Sequence, residues 1–215
     1  MSWIGIDLGT THSSVAVWDS TRGNAKWIRI ASPSEKGGKR RRLIPSHALL
    51  AESTTVDGEY IVPMRDYSLI LGYEAQKILQ NHPELSQSSC YLASIKRLLT
   101  QGDNTWNATP VDCSTEQAST KNEALTTDEL LVAILSSLRS AANVYLLLNM
   151  RKKHLQVPGS DSDCLHAVIG VPASYSQQKR NQLIQTAQKA GFQTAHVIIE
   201  STAAALTYGL GVSDK

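Results

Sequence analysis

Two short apolar runs near the end of the chain limit its fold more than any other feature. Leu165–Val171 is nearly continuous in apolar side chains, the pattern of a strand covered on both faces. Pro172 ends it, and Ser174 or Ser176 caps a helix in which Leu183, Ile184, Ala187 and Ala190 share one side. Gly191 supplies the left-handed residue after that helix. His196–Ile199 reads as a second buried strand, and Ser201–Tyr208 as a short alanine-rich helix closed by Gly209. At the other end, Ile4, Ile6 and Leu8, then Val15 and Val17, then Ile28 and Ile30 alternate as three short strands. Gly9 makes the first bend and Thr21-Arg22-Gly23-Asn24 the second. Three meandering strands followed by strand–helix–strand–helix predict an α/β fold, a mixed sheet with flanking helices.

The middle of the chain is harder to read. Ser32 to Arg42 is polar and basic and cannot bury a face, so a loop is expected. Helices are expected around Gly72–Gln80 and Cys90–Leu99, on either side of Asn81-His82-Pro83. Residues 101–122 are poor in large apolar side chains and read as an irregular excursion. Thr126-Thr127-Asp128-Glu129 is a capping box that opens a long helix to about His154, with Leu130, Ile134, Leu138, Ala141 and Tyr145 on one stripe. Pro158-Gly159-Ser160-Asp161 breaks the chain after it.

Composition removes several function classes. With 21 Lys+Arg against 19 Asp+Glu, the net charge of +2 gives no general attraction to nucleic acid or an anionic membrane. The longest aliphatic runs, such as Val144–Leu148, fall far short of the roughly 20 apolar residues of a membrane span. The N-terminus has no secretory pattern, and the 3 cysteines have no metal-ligand spacing; a reduced, cytoplasmic setting is expected. Lys39-Arg40-Arg41-Arg42 reads as part of a solvated loop, with a nuclear-import or RNA-contacting patch as the alternative. His166, alone in a strand, is expected to be a hydrogen-bonded structural residue rather than a ligand.

Chemistry concentrates in two places. In Ile6-Asp7-Leu8-Gly9-Thr10-Thr11-His12-Ser13-Ser14, a turn of Gly and Thr gathers backbone N–H groups and hydroxyls into a concavity suited to phosphate oxygens. Asp7 at the strand end would repel a polyphosphate unless a hydrated Mg²⁺ lay between them. A plain Asp-Gly turn is the alternative on these residues alone. The second place is Val171-Pro172-Ala173 with Arg180, followed by Glu200-Ser201-Thr202-Ala203-Ala204-Ala205-Leu206-Thr207-Tyr208-Gly209-Leu210. Here Glu200 stands at a strand–helix junction, where a ligand site would lie.

Together these segments resemble the nucleotide-binding domain of the seventy-kilodalton heat-shock (Hsp70) chaperone family. Asp7-Leu8-Gly9-Thr10-Thr11 is similar to the family's first phosphate loop, and Arg42-Leu43-Ile44-Pro45-Ser46 to its Arg-Thr-Thr-Pro-Ser segment. Gly72-Tyr73-Glu74-Ala75, Lys96-Arg97-Leu98-Leu99 and the stretch from Val171 to Leu210 resemble further parts of its first lobe. The phosphate loop alone also suits sugar or acid kinases and actin-like filaments; the Glu-x-Thr-Ala-Ala-Ala-x-x-Tyr-Gly-Leu run is far more specific to the chaperones.

The resemblance implies a ribonuclease-H-like, actin-like ATPase lobe that grips one side of ATP·Mg²⁺. Residues 1–35 and about 125–215 would form its core subdomain, and about 36–124 a peripheral one. Asp7 would hold metal-bound water, Gly9, Thr10 and Thr11 would meet phosphates, and Glu200 would join the metal's outer shell or position the attacking water. Pro172 and Arg180 resemble the pair that couples hydrolysis to a peptide-binding domain. Implied partners are unfolded polypeptides, co-chaperones or exchange factors, a second lobe and a peptide-binding domain, in a protein-folding and stress-response role.

Departures point to a different outcome. Gln76 stands where the family's catalytic lysine is expected, and the neighbouring Lys77 is rotated away by roughly 100° on a helix. A neutral amide cannot stabilise a transferring phosphoryl group as a cation does. Ser201 replaces a proline, and Leu43-Ile44 replace two threonines. The sequence stops at Lys215, before the family's second phosphate loop, so half a cleft with weak or no ATP binding is expected of these residues alone. A non-catalytic interaction module is the competing reading.

Overall fold

The computed structural model describes residues 2–19, 23–28, 30–31, 40–52, 61–64, 67–101, 105–112, 122–152 and 165–212. Thr21 and Arg22 of the expected turn, Ser32 to Lys39 of the basic run, and the break at Pro158–Asp161 lie outside them. The first strands are β1 (Ser2–Leu8), β2 (His12–Asp19), β3 (Asn24–Trp27), β4 (Ile30–Ala31), β5 (Arg40–Arg41), β6 (Leu43–Pro45) and β7 (Ala48–Glu52). They are followed by β8 (Ile61–Met64), β9 (Tyr67–Leu71), β10 (Tyr91–Leu92), β11 (Thr105–Ala108), β12 (Glu123–Thr126), β13 (Leu165–Val171) and β14 (Thr194–Ile199). The helices are α1 (Gly72–Asn81), α2 (Ile95–Gln101), α3 (Thr127–Lys152), α4 (Gln177–Lys189) and α5 (Glu200–Val212). The chain divides into two compact units, residues 1–8, 14–28 and 139–215 in one, residues 9–13 and 29–138 in the other.

In the first unit a mixed sheet runs in the order β14-β13-β1-β2-β3. Parallel ladders join β1 to β13 and β13 to β14, and β2 pairs antiparallel with β3. Strand alternation turns Ile4 and Ile6 into the core and leaves Trp3, Gly5 and Asp7 on the outer face. The expected strand Leu165–Val171 is present, with Ala167, Ile169 and Val171 buried. Ser176, rather than Ser174, caps α4: its side chain accepts from the Lys179 N–H at 3.3 Å. Leu183, Ala187 and Ala190 are buried as expected, and Gly191 takes φ +90 beyond the helix end.

Three expectations for this unit need correction. β14 is only half-buried through Val197, Ile198 and Ile199, because it occupies the sheet edge and pairs on one side. α5 continues through Gly209 to Val212, and its outer surface is open, with Leu206 55% and Tyr208 78% exposed. His166 is buried, but neither ring nitrogen has a hydrogen-bond partner among the described residues; the ring stacks on Trp3 at 4.9 Å.

The second unit departs further from expectation. A four-stranded antiparallel sheet, β10-β7-β9-β8, carries a core of Leu49, Ala51, Ile70, Ala75, Leu85, Cys90 and Val111. Cys90 starts no helix: its carbonyl accepts from the Leu50 N–H at 2.9 Å, and α2 begins only at Ile95. Within the expected excursion, β11 pairs with β12, burying Trp106 and Ala108. Arg40–Arg41 form a short strand with Ile30–Ala31 rather than open loop.

The capping box forms as expected at the start of α3. Glu129 Oε2 accepts from the Thr126 N–H at 2.9 Å, and Thr126 Oγ1 accepts from the Glu129 N–H at 3.2 Å. Leu130 and Leu138 are buried, joined by Leu131, Leu135 and Ala142, while Ile134, Ala141 and Tyr145 are half-buried. The buried stripe is displaced because this helix is apolar around most of its circumference, so periodicity alone does not phase it. Thr127–Leu147, with hydropathy 1.6, is also long and apolar enough to cross a membrane, which corrects the expectation that no segment approaches that length. Its buried leucines show the same composition serving as a core helix.

Thr126→Ala removes the Oγ1 that accepts from the Glu129 N–H and donates to Glu129 Oε2, and should lower unfolding stability by about 1 kcal/mol in urea denaturation. A change under a few tenths would show that the cap does not hold the helix start.

Candidate functional site

The parallel register brings the predicted carboxylates together. Asp7 is level with Gly170 across the β1–β13 ladder, and Gly170 is level with Ile198 across β13–β14. Glu200 follows two residues later, at the first position of α5. A Cβ at Gly170 would lie 3.5 Å from Glu200 Cγ, 3.7 Å from the Ile6 carbonyl and 4.0 Å from Asp7 Oδ1. Gly170 therefore keeps open the space between two acids, a role not assigned to it from sequence. These residues sit at the carboxyl ends of parallel strands, the end at which open α/β sheets place ligands. A cleft of about 660 Å³ opens there, lined by Asp7, Gly170, Glu200, Ser14, Trp27 and Thr207 among others.

The donor chemistry suits a hard, hydrated cation. No group of three or more His, Cys, Asp or Glu exists among the described residues to enclose a metal. Two carboxylates beside an open cleft are what Mg²⁺ needs when it keeps its waters and binds through phosphate.

The turn after Asp7 belongs to the second unit. A Cβ at Gly9 would lie 2.0 Å from the His12 carbonyl oxygen, so only glycine fits. Thr10 and Thr11 are exposed in the bend. Gln76 is half-buried on α1 between buried Ala75 and exposed Lys77. Gln76 and the lysine beside it thus lie on different sides of the helix.

Pro172, in the connection between β13 and α4, and Arg180, in the first turn of α4, are linked through Tyr175. The Tyr175 N–H donates to the Pro172 carbonyl at 3.1 Å, and Arg180 Nε donates to the Tyr175 carbonyl at 3.0 Å. Tyr175 itself went unpredicted. It is 6% exposed, and burial, with a further contribution from the Glu200 charge, pushes its phenol up to about 12. It therefore lies within electrostatic reach of Glu200 from a connection that begins at Pro172 and is bonded by Arg180 of α4. The sequence signal was a lone aromatic in a strand–helix connection otherwise made of Pro, Ala and Ser.

A family model described as Hsp70 protein matches residues 107–215, just over half of the chain. The chain belongs to the Hsp70 family. It is 31% identical over 216 residues to heat shock 70 kDa protein 13 of Rattus norvegicus, covering 96% of this chain and 38% of the relative. The human protein of the same name is 30% identical over 222 residues, covering 98% and 39%. Chaperone protein DnaK of Mesomycoplasma hyopneumoniae (strain 232) is 29% identical over 212 residues, covering 99% and 26%. The chain thus spans well under half the length of these relatives. Its mixed sheet and flanking helices are the actin-like ATPase lobe of the Hsp70 family, a chaperone-type nucleotide-binding lobe. The match also decides between the chaperones and the kinase relatives that share the first turn.

The raised Tyr175 phenol gives a pH signature with a defined sign. Its folded value lies above the unfolded value near 10, so the stability it contributes is complete below pH 10 and is lost as pH rises through about 12. Absorbance titration should show a late tyrosine ionisation near pH 12 in the folded chain that Tyr175→Phe removes. Loss of a different, earlier step in that variant would contradict the burial of Tyr175.

Proposed function

We propose that this Hsp70-family lobe binds the phosphate and Mg²⁺ side of ATP, and that in a complete protein it takes part in ATP hydrolysis coupled to binding of unfolded polypeptides. The supporting observation is the convergence of Asp7 and Glu200 around Gly170 at the carboxyl ends of β13 and its neighbours. Asp7 would hold the hydrated cation, and Glu200 would orient water at the reacting phosphate. Gly9, Thr10 and Thr11 would supply phosphate donors. A bound Mg²⁺ would neutralise phosphate charge during transfer. The connection from Pro172 to Tyr175, with Arg180 of α4, would report the state of Glu200 to a peptide-binding domain and to co-chaperones. The open outer surface of α5, with Leu206 and Tyr208, agrees with a second lobe seated against it.

Gln76 favours a second reading, in which the lobe serves as a non-catalytic module that docks a chaperone partner. Without a cation at that position the transferring phosphoryl group loses one source of stabilisation.

Two measurements separate these readings. Calorimetric titration of residues 1–215 with Mg·ATP should give binding weaker than micromolar, since one lobe leaves the nucleotide open to water; micromolar affinity would contradict this. In a version carrying both lobes, Gln76→Lys should raise ATP turnover on the order of 100-fold. Substantial turnover that the exchange leaves unchanged would overturn the role given to Gln76.

A further inference from the structure

The turn after β1 is held by a residue far along the chain. Within the second unit, Ser46 Oγ donates to the Gly9 carbonyl at 2.8 Å, and the Ser46 N–H donates to the Thr11 carbonyl at 2.9 Å. Ser13 Oγ lies 3.3 Å from Ser46 Oγ. A hydroxyl has one proton to give, and that of Ser46 is engaged with Gly9, so Ser13 is the donor in this third bond. One serine thus ties down two carbonyls of a short bend and receives a hydroxyl from its far end.

The planarity of the peptide bond turns this clamp into an orientation. No cis peptide occurs among the described residues, and in a trans peptide the C=O and the following N–H point in opposite directions. Holding the Gly9 carbonyl on the Ser46 side aims the Thr10 N–H to the other side. Holding the Thr11 carbonyl does the same for the His12 N–H. Thr10 is exposed and has no hydrogen-bond partner among the described residues. Successive amides pointing out of a bend form an anion-binding concavity.

The clamp also stands on fixed ground. Pro45 and Ala48 on either side of Ser46–His47 are buried. The His47 carbonyl accepts from the Gly72 N–H at 3.0 Å, and its Nδ1 shares a hydrogen with the Tyr91 hydroxyl at 2.7 Å.

We infer that Ser46 is a positioning residue for the phosphate-binding turn: it holds the Gly9 and Thr11 carbonyls back and so presents the Thr10 amide to a polyphosphate. It touches no ligand itself. This rests on the nucleotide reading of the site, and it assigns the orientation of the Gly9–Thr10 peptide to one hydroxyl. Losing that hydroxyl frees the Gly9–Thr10 peptide to rotate and swing its N–H away.

The test uses the 215-residue chain, its Ser46→Ala and Ser46→Thr variants, and inorganic tripolyphosphate as probe, read by backbone-amide NMR. In the wild type and in Ser46→Thr, the Thr10 amide should be rigid, with an order parameter of about 0.85, and should shift on adding tripolyphosphate. In Ser46→Ala the order parameter should fall below about 0.6. Tripolyphosphate affinity should fall about tenfold, the equivalent of one hydrogen bond, with the unfolding midpoint moved by only a few degrees. Should Ser46→Ala fail to fold, Ser13→Ala, which leaves Ser46 in place, should weaken tripolyphosphate in the same direction. Unchanged Thr10 order and unchanged affinity in Ser46→Ala overturn the clamp. A wild-type turn that neither tripolyphosphate nor Mg·ATP shifts overturns the nucleotide reading instead, and the comparison of order parameters still decides the clamp.

Discussion

The parallel register of β1, β13 and β14 is the constraint on which the site depends. It sets Asp7 level with Gly170 and delivers Glu200 immediately beyond the neighbouring strand. A slip of one residue in the β1–β13 ladder would turn Asp7 toward the face that holds Ile4 and Ile6. Burial of those two isoleucines, with Ala167 and Ile169 opposite, therefore fixes the chemistry as well as the fold. The hydrophobic pattern of one sheet face selects which carboxylates meet on the other.

Space matters as much as charge at this junction. Gly170 has ordinary contacts around its missing side chain, so a methyl group could be accommodated there, whereas anything larger would enter the gap between the acids. Gly9 is a harder constraint, because its missing Cβ would overlap a backbone oxygen. One glycine makes room for a ligand and the other makes a bend possible. In the first unit Tyr175, buried and sensitive to Glu200, joins the acid to a turn pinned by Arg180.

Much of the first unit was legible because its signals are local. Ser176 caps α4 and Gly191 takes a left-handed conformation, each within a few residues of its partner, and in the second unit the equally local Thr126–Glu129 box was legible for the same reason. The second unit was largely hidden because its strands depend on distant pairing. Ala48–Glu52 reads Ala-Leu-Leu-Ala-Glu, a composition that favours helix, and becomes a strand by pairing with Tyr67–Leu71 and Tyr91–Leu92. Trp106 and Ala108 alternate with Thr105 and Asn107, but the run is too short and polar to stand out. Asp7 and Glu200 could be named from motifs, as could Gly9, Thr10 and Thr11 of the turn in the second unit. Tyr175, Gly170 and Ser46 could not, since each acquires its role from a neighbour that only the folded chain supplies.

Asp7 and Glu200 are proposed to form one cation-binding corner of a nucleotide site. Paramagnetic line broadening by Mn²⁺, used in place of Mg²⁺ with excess ATP, reads that corner directly at each backbone amide. Selective broadening at Asp7, Gly170 and Glu200 that requires ATP and disappears in Asp7→Asn is the predicted result. Broadening that is absent from these three, or that persists unchanged in Asp7→Asn, would contradict it.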